Sequence, residues 1–179
     1  MKKLAIFGSG SGSNAESICN YFAACPSVDV VLICTNNKNA FIVNRAKKLN
    51  LPVVYTTKNE LANFNVIHKK LKNYNVDYII LAGFLLKIPV KMLDRYPKKI
   101  INIHPSLLPK YGGIGMYGDN VHKAVLKNNE SESGITIHFV DQNYDTGQVI
   151  LQKKCMLNTN ETIEGLKSKI RALEFEYFP

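Results

Sequence analysis

Ile101-Asn102-Ile103-His104-Pro105-Ser106-Leu107-Leu108-Pro109-Lys110-Tyr111 begins as an apolar run and ends in two polar side chains and two prolines. Asn102 and His104 stand two residues apart, so on a strand both point to the same side. Pro105 and Pro109 stop the strand and stiffen the segment that follows. The run therefore predicts a strand from Lys99 to His104 that delivers an amide and an imidazole at its C-terminal end. Open α/β sheets bind their ligands at that edge. An amide that can donate to an oxyanion, beside an imidazole that can move a proton, suits acyl transfer.

Upstream of this run, short apolar stretches alternate with amphipathic ones, the pattern of a parallel sheet with crossover helices. Strands are expected at Lys3–Gly8, Val28–Thr35, Val53–Thr56 and Tyr78–Ala82. Helices are expected at Asn14–Ala24, Phe41–Leu49 and Asn65–Asn73. The fourth strand is apolar without interruption, which predicts a central place. Downstream, Asn120–Asn128 reads as a helix. Gly134–Val140 and Gln148–Lys153 lack room for a crossover helix between them, so they read as an antiparallel pair. Ile163, Leu166, Ile170, Leu173 and Tyr177 recur at helical spacing and predict a last amphipathic helix. The fold class is thus α/β: an open, mostly parallel, Rossmann-like twisted sheet with helices on both faces and an antiparallel pair near the C-terminus.

Gly8-Ser9-Gly10-Ser11-Gly12-Ser13-Asn14 joins the first strand to the first helix. Glycines there let the backbone approach a ligand, and the N–H groups opening a helix favour an anion. A dinucleotide fold fits poorly. Ser13 replaces the third glycine of G-x-G-x-x-G, and the second strand ends in Cys34-Thr35-Asn36-Asn37 without a ribose-binding acid.

With 179 residues the chain is long enough for one domain with a real core. No apolar stretch reaches membrane-spanning length, and the run Leu4–Phe7 is too short for a signal peptide, so a cytoplasmic protein is expected. The cysteines Cys19, Cys25, Cys34 and Cys155 form no regular framework and read as reduced. His68, His104, His122 and His138 lack zinc spacing, so no metal is expected. The net charge of +9 is spread over helical lysines without interleaved aromatics and arginines, the mark of a solvated basic surface and not of a nucleic-acid partner.

The run Asn102–Pro109 resembles the signature of the folate-dependent formyltransferases, and further motifs of that family recur in order from Lys3 to Pro179. The resemblance implies a single formyltransferase catalytic domain over 1–179. It implies transfer of formyl from 10-formyltetrahydrofolate, as co-substrate, to the amine of N1-(5-phospho-D-ribosyl)glycinamide, a step of de novo purine (IMP) biosynthesis. Asn102, His104 and Asp145 are then the catalytic set, with Asn102 also contacting the formyl-folate. His104 is expected as an imidazolium whose pKa the Asp145 charge raises.

Gly12, Ser13 and Asn14 match the loop for the nucleotide 5′-phosphate. Leu85, Leu86, Lys87 and Ile88 match the folate-binding loop, with Leu86 where an arginine is usual. Glu174 matches a glutamate near the substrate amine, and Arg171, one turn earlier, is placed to supplement the phosphate site. His138 has a family counterpart but reads as structural.

Two stretches depart from the commoner pattern. The glycine-rich run Tyr111–Gly118 is longer than usual and suggests a flap, and relatives continue past Pro179. The alternatives implied are a formyltetrahydrofolate hydrolase or another formyltransferase of the same fold. A hydrolase has a second histidine where Pro105 stands, and a methionyl-tRNA formyltransferase needs a further C-terminal domain.

Overall fold

A computed structural model describes all residues from Met1 to Pro179. The strands are β1 (Lys2–Phe7), β2 (Val28–Thr35), β3 (Val53–Tyr55), β4 (Tyr78–Leu81), β5 (Ile100–His104), β6 (Glu132–Phe139) and β7 (Val149–Met156). The helices are α1 (Ser13–Phe22), α2 (Ile42–Lys48), α3 (Lys58–Ala62), α4 (Phe64–Lys72), α5 (Val90–Arg95), α6 (Asp119–Lys127) and α7 (Ile163–Tyr177). One seven-stranded sheet runs in the order β3-β2-β1-β4-β5-β6-β7. The chain divides into two compact units, Met1–Ile101 with Pro179, and Asn102–Phe178.

In the first unit β1 pairs in parallel with β2 and β4, and β2 in parallel with β3. A strand covered on both faces has no polar side to present, which is why Leu4–Phe7 and Ile79–Leu81 are apolar throughout and buried. Ile18 of α1, Ile42 and Ala46 of α2 and Ile67 and Leu71 of α4 supply the buried helix faces. Two short helices lie outside the sequence expectation. Five-residue α3 is held by a capping box: the Thr57 N–H donates to Glu60 Oε2 at 2.8 Å and the Glu60 N–H to Thr57 Oγ1 at 3.1 Å. Six-residue α5 follows Pro89 and buries Met92.

In the second unit β6 and β7 are antiparallel, with Gly134 opposite Lys154 and Ile137 opposite Leu151. A Cβ on Gly134 would stand 2.0 Å from the Lys153 carbonyl oxygen, so only glycine lets the ladder close there. α7 starts at Thr162, whose hydroxyl accepts the Gly165 N–H at 3.0 Å, and buries Leu166 and Ile170. No helix is long and apolar enough to cross a membrane.

The segment after β5 is fixed by one buried hydroxyl. Thr136 Oγ1 accepts the Leu108 N–H at 3.0 Å and Gln152 Nε2–H at 2.9 Å, and donates to the Ser106 carbonyl at 2.7 Å. Ser106 Oγ in turn donates to the Lys110 carbonyl at 2.7 Å. Thr136→Val keeps the shape and strands a buried N–H and C=O. Its expected cost is about 3 kcal/mol of unfolding free energy, read from urea denaturation. A loss within 0.5 kcal/mol would show that this network does not hold the segment.

Candidate active site

β5 carries the site's first two groups. Its side chains alternate, so Ile103 turns into the core while Asn102 and His104 share the other face. Asp145 comes from the β6–β7 connection in a left-handed backbone conformation, φ 59°, which aspartate tolerates better than most residues. Its Oδ2 lies 3.5 Å from His104 Nδ1 and accepts the Gly113 N–H at 2.9 Å. The other acid of that connection, Asp141, is occupied as a turn residue: it accepts Thr146 Oγ1–H at 2.8 Å and the Asn143 N–H at 3.0 Å. Gly147 is required behind it, because a Cβ there would sit 1.8 Å from the Phe139 carbonyl oxygen.

Both imidazoles have assignable tautomers. His104 Nε2 is 2.7 Å from the Tyr111 carbonyl, which can only accept, so Nε2 carries hydrogen. Nδ1 is then the basic nitrogen, and it is the one beside Asp145. His138 Nδ1 donates to the Phe139 carbonyl at 2.8 Å, which leaves Nε2 to accept from Asn102 Nδ2 at 3.1 Å. That bond fixes the Asn102 amide with its nitrogen toward His138 and keeps a second N–H on the same nitrogen for another acceptor. His138 Nε2 is also 3.7 Å from Asp145 Oδ1. The structural role expected for His138 is therefore incomplete: it touches both an amide and a carboxylate of the cluster. Position on a strand gave no sign of this, because its partner lies 36 residues away.

Electrostatics departs from expectation as well. Burial pushes His104 below the ordinary imidazole value, His138 adds to that, and Asp145 and the Tyr111 carbonyl pull it back only in part. The sequence-based expectation of a pKa raised by Asp145 is corrected: the sign of Asp145's effect is right, and desolvation outweighs it. At neutral pH the imidazole is uncharged. His122 on α6 is also pushed down, chiefly by burial. No three metal-ligating side chains of the chain are gathered as a metal would need.

Depressed histidines make folding pH-dependent in a defined direction. Between the folded pKa and about 6.5 the unfolded chain binds more protons than the folded one, so stability rises with pH there and falls as pH drops through that window. The urea midpoint is expected to be lower at pH 5.5 than at pH 7.5. Equal midpoints would mean that His104 and His122 are not held neutral by the fold.

The remaining sequence candidates form separate groups. In the first unit the Gly8–Asn14 loop leads into α1 through Gly12, at φ 75°. A Cβ on Gly12 would stand 2.8 Å from the Ile42 backbone and 2.6 Å from its side chain, so glycine is demanded by the close approach of α2 as well as by φ. The loop is held from outside: the Ile42 N–H donates to the Gly10 carbonyl at 3.1 Å and Arg45 Nε–H to the Ser11 carbonyl at 3.0 Å. Arg45 also pairs with Glu16. No side chain caps the start of α1, whose ten residues begin at Ser13.

The Leu85–Ile88 loop is tied to the same region. Ser9 Oγ accepts the Leu85 N–H at 3.0 Å, and the Ser9 N–H donates to the Gly83 carbonyl at 3.0 Å. Phe84 packs edge-on against Phe7, and Ile88 is buried, whereas Leu85 and Lys87 are exposed and Leu86 half-buried. In the second unit Arg171 is exposed on α7 and Glu174 half-buried. Lys167, four residues before Arg171 on the same helix, is paired with Asp119 at 2.7 Å.

Residues 2–179 match the formyl transferase family, and the chain belongs to it. Among its relatives, the chloroplastic phosphoribosylglycinamide formyltransferase of Arabidopsis thaliana is 40% identical over 177 residues, covering 94% of this chain. The phosphoribosylglycinamide formyltransferase of Haemophilus influenzae is 34% identical over the whole chain and 84% of its own length. The chain spans 60% of the length of the Arabidopsis relative. The crystal structure of glycinamide ribonucleotide transformylase 1 from Geobacillus kaustophilus superposes with a TM-score of 0.90 at 34% identity, covering 100% of this chain and 95% of that one.

Proposed function

We propose that residues 1–179 act as one formyltransferase domain that moves the formyl group of 10-formyltetrahydrofolate to the amine of N1-(5-phospho-D-ribosyl)glycinamide, yielding formylglycinamide ribonucleotide and tetrahydrofolate. The observation that carries this reading is the cluster of Asn102, His104, His138 and Asp145, found in a chain whose relatives bear that enzyme's name.

The chemistry follows from the cluster. The substrate amine attacks the formyl carbon, and the carbonyl oxygen becomes an oxyanion that accepts the second N–H of Asn102. The attacking nitrogen loses a proton to neutral His104, and Asp145 stabilises the imidazolium so formed. Collapse of the tetrahedral intermediate breaks the bond from the formyl carbon to the folate N10, which takes the proton back from His104. The products are an amide and tetrahydrofolate, with no net gain or loss of protons.

Binding falls to the other groups. Gly12, Ser13 and Asn14, at the start of α1, are assigned to the 5′-phosphate, because the N–H end of a helix favours an anion. Leu85–Ile88 is assigned to the folate heterocycle, with the exposed Leu85 side chain as an apolar wall. Arg171 and Glu174 are assigned to the nucleotide as well.

The deciding assay measures tetrahydrofolate release with and without phosphoribosylglycinamide. Release only with the amine supports the transferase. Equal release without it identifies a hydrolase instead.

A further inference from the structure

One turn touches both His104 and Asp145, and neither its sequence nor the chemistry above accounts for how it is held. Tyr111 adopts a left-handed backbone, φ 57°, where a bulky side chain is disfavoured. Its carbonyl is the 2.7 Å acceptor for His104 Nε2–H, and two residues later the Gly113 N–H is the 2.9 Å donor to Asp145 Oδ2. The same tyrosine is anchored at its far end. Its phenol donates to Glu130 Oε1 at 2.8 Å and accepts Asn128 Nδ2–H at 3.0 Å, just beyond the end of α6. Lys110 Nζ grips both oxygens of Glu130, at 3.0 and 3.2 Å.

We propose that Tyr111 is a positioning residue for His104: its phenol, anchored on Glu130 and Asn128, holds the carbonyl that fixes which ring nitrogen is basic. Glycine would reach the same φ at lower cost, yet it would lose the anchor. Without the carbonyl in place, the imidazole can move its hydrogen to Nδ1 and donate to Asp145, which removes the free base from the nitrogen beside the carboxylate. The catalytic consequence rests on the formyl-transfer reading; the tautomer consequence does not.

The test uses the full chain and three variants. Tyr111→Phe and Glu130→Ala remove the anchor, whereas Glu130→Gln keeps an acceptor for the phenol. His104 ring nitrogen shifts report the tautomer by NMR. Turnover is measured with 10-formyltetrahydrofolate and phosphoribosylglycinamide. The first two variants are expected to show Nδ1–H His104 and a kcat lower by on the order of tenfold to a hundredfold, with both KM values within about twofold of the parent as expected of a group that binds neither substrate. Glu130→Gln is expected to restore the parent tautomer and kcat.

Parent-like shifts and kcat in Tyr111→Phe would overturn the proposal. Asn102→Leu separates this from failure of the functional reading. If that variant is crippled while Tyr111→Phe keeps the parent tautomer, the positioning role is wrong and the reaction stands. If the tautomer changes and both variants keep parental turnover, the positioning role stands and the assigned chemistry is wrong.

Discussion

Asn102→Leu should lower turnover by on the order of 10² to 10³, the usual consequence of deleting one donor to a developing oxyanion. Leucine keeps the volume and loses both N–H groups, one of which goes to His138 Nε2 in the parent. Three features make the loss large. The amide is fixed by His138, so its free N–H needs no reorganisation when charge develops. The His138 imidazole is buried, at 2% side-chain exposure, so water replaces the lost bond poorly. The donor acts on the transition state more than on the ground state, so kcat falls while the nucleotide's affinity changes little. Calorimetric affinities and single-turnover rates check both halves. A variant that turns over at the parent rate would show that the oxyanion is held by something else.

The parts of this molecule that were legible in its sequence are those set by local periodicity. The apolar runs of β1, β2, β4 and β5 end within a residue or two of where the pattern breaks, and α7 has the span its repeat implies. β7 runs on to Met156, beyond the apolar stretch, because Lys154 and Cys155 pair across to Gly134 and Ser133 at a solvent-facing edge where polar side chains are tolerated. α3 and α5 are too short for periodicity to show. Thr57 and Glu60 did carry the capping-box spacing that marks α3.

For the site, sequence pattern placed Asn102 and His104 on one face of a strand. The nearness of Asp145 came from resemblance to a family, since spacing alone could not distinguish it from Asp141. Three further features depend on contacts that no local pattern encodes. These are the Asn102–His138 bond, the Tyr111 carbonyl on His104, and the Ile42 backbone against Gly12. The same holds for the sign of the His104 shift. A carboxylate neighbour can be guessed from motif order, but the extent of burial that outweighs it is a property of the folded chain.

Asp145→Asn isolates the charge that this burial opposes. The amide keeps an oxygen for the Gly113 N–H and removes only the negative charge 3.5 Å from His104 Nδ1. His104 already titrates below the ordinary value, so without Asp145 its pKa falls further, and the imidazolium formed during proton transfer loses its partner. A base that must accept a proton is competent only above its own pKa. The acid limb of the kcat profile set by His104 therefore moves to lower pH in the variant.

On the plateau above that limb, turnover drops by on the order of 10² to 10⁴, the contribution of a positioned proton-transfer group. The substrate amine must also be unprotonated to attack, but it is the same in both enzymes, so the ratio of variant to parent at each pH removes its effect. The ratio should be least unfavourable at the lowest pH, where the parent's own histidine is becoming protonated. NMR titration of His104 supplies the independent check. A His104 pKa equal to the parent's, with a ratio flat across pH, would show that Asp145 does not act through its charge on His104.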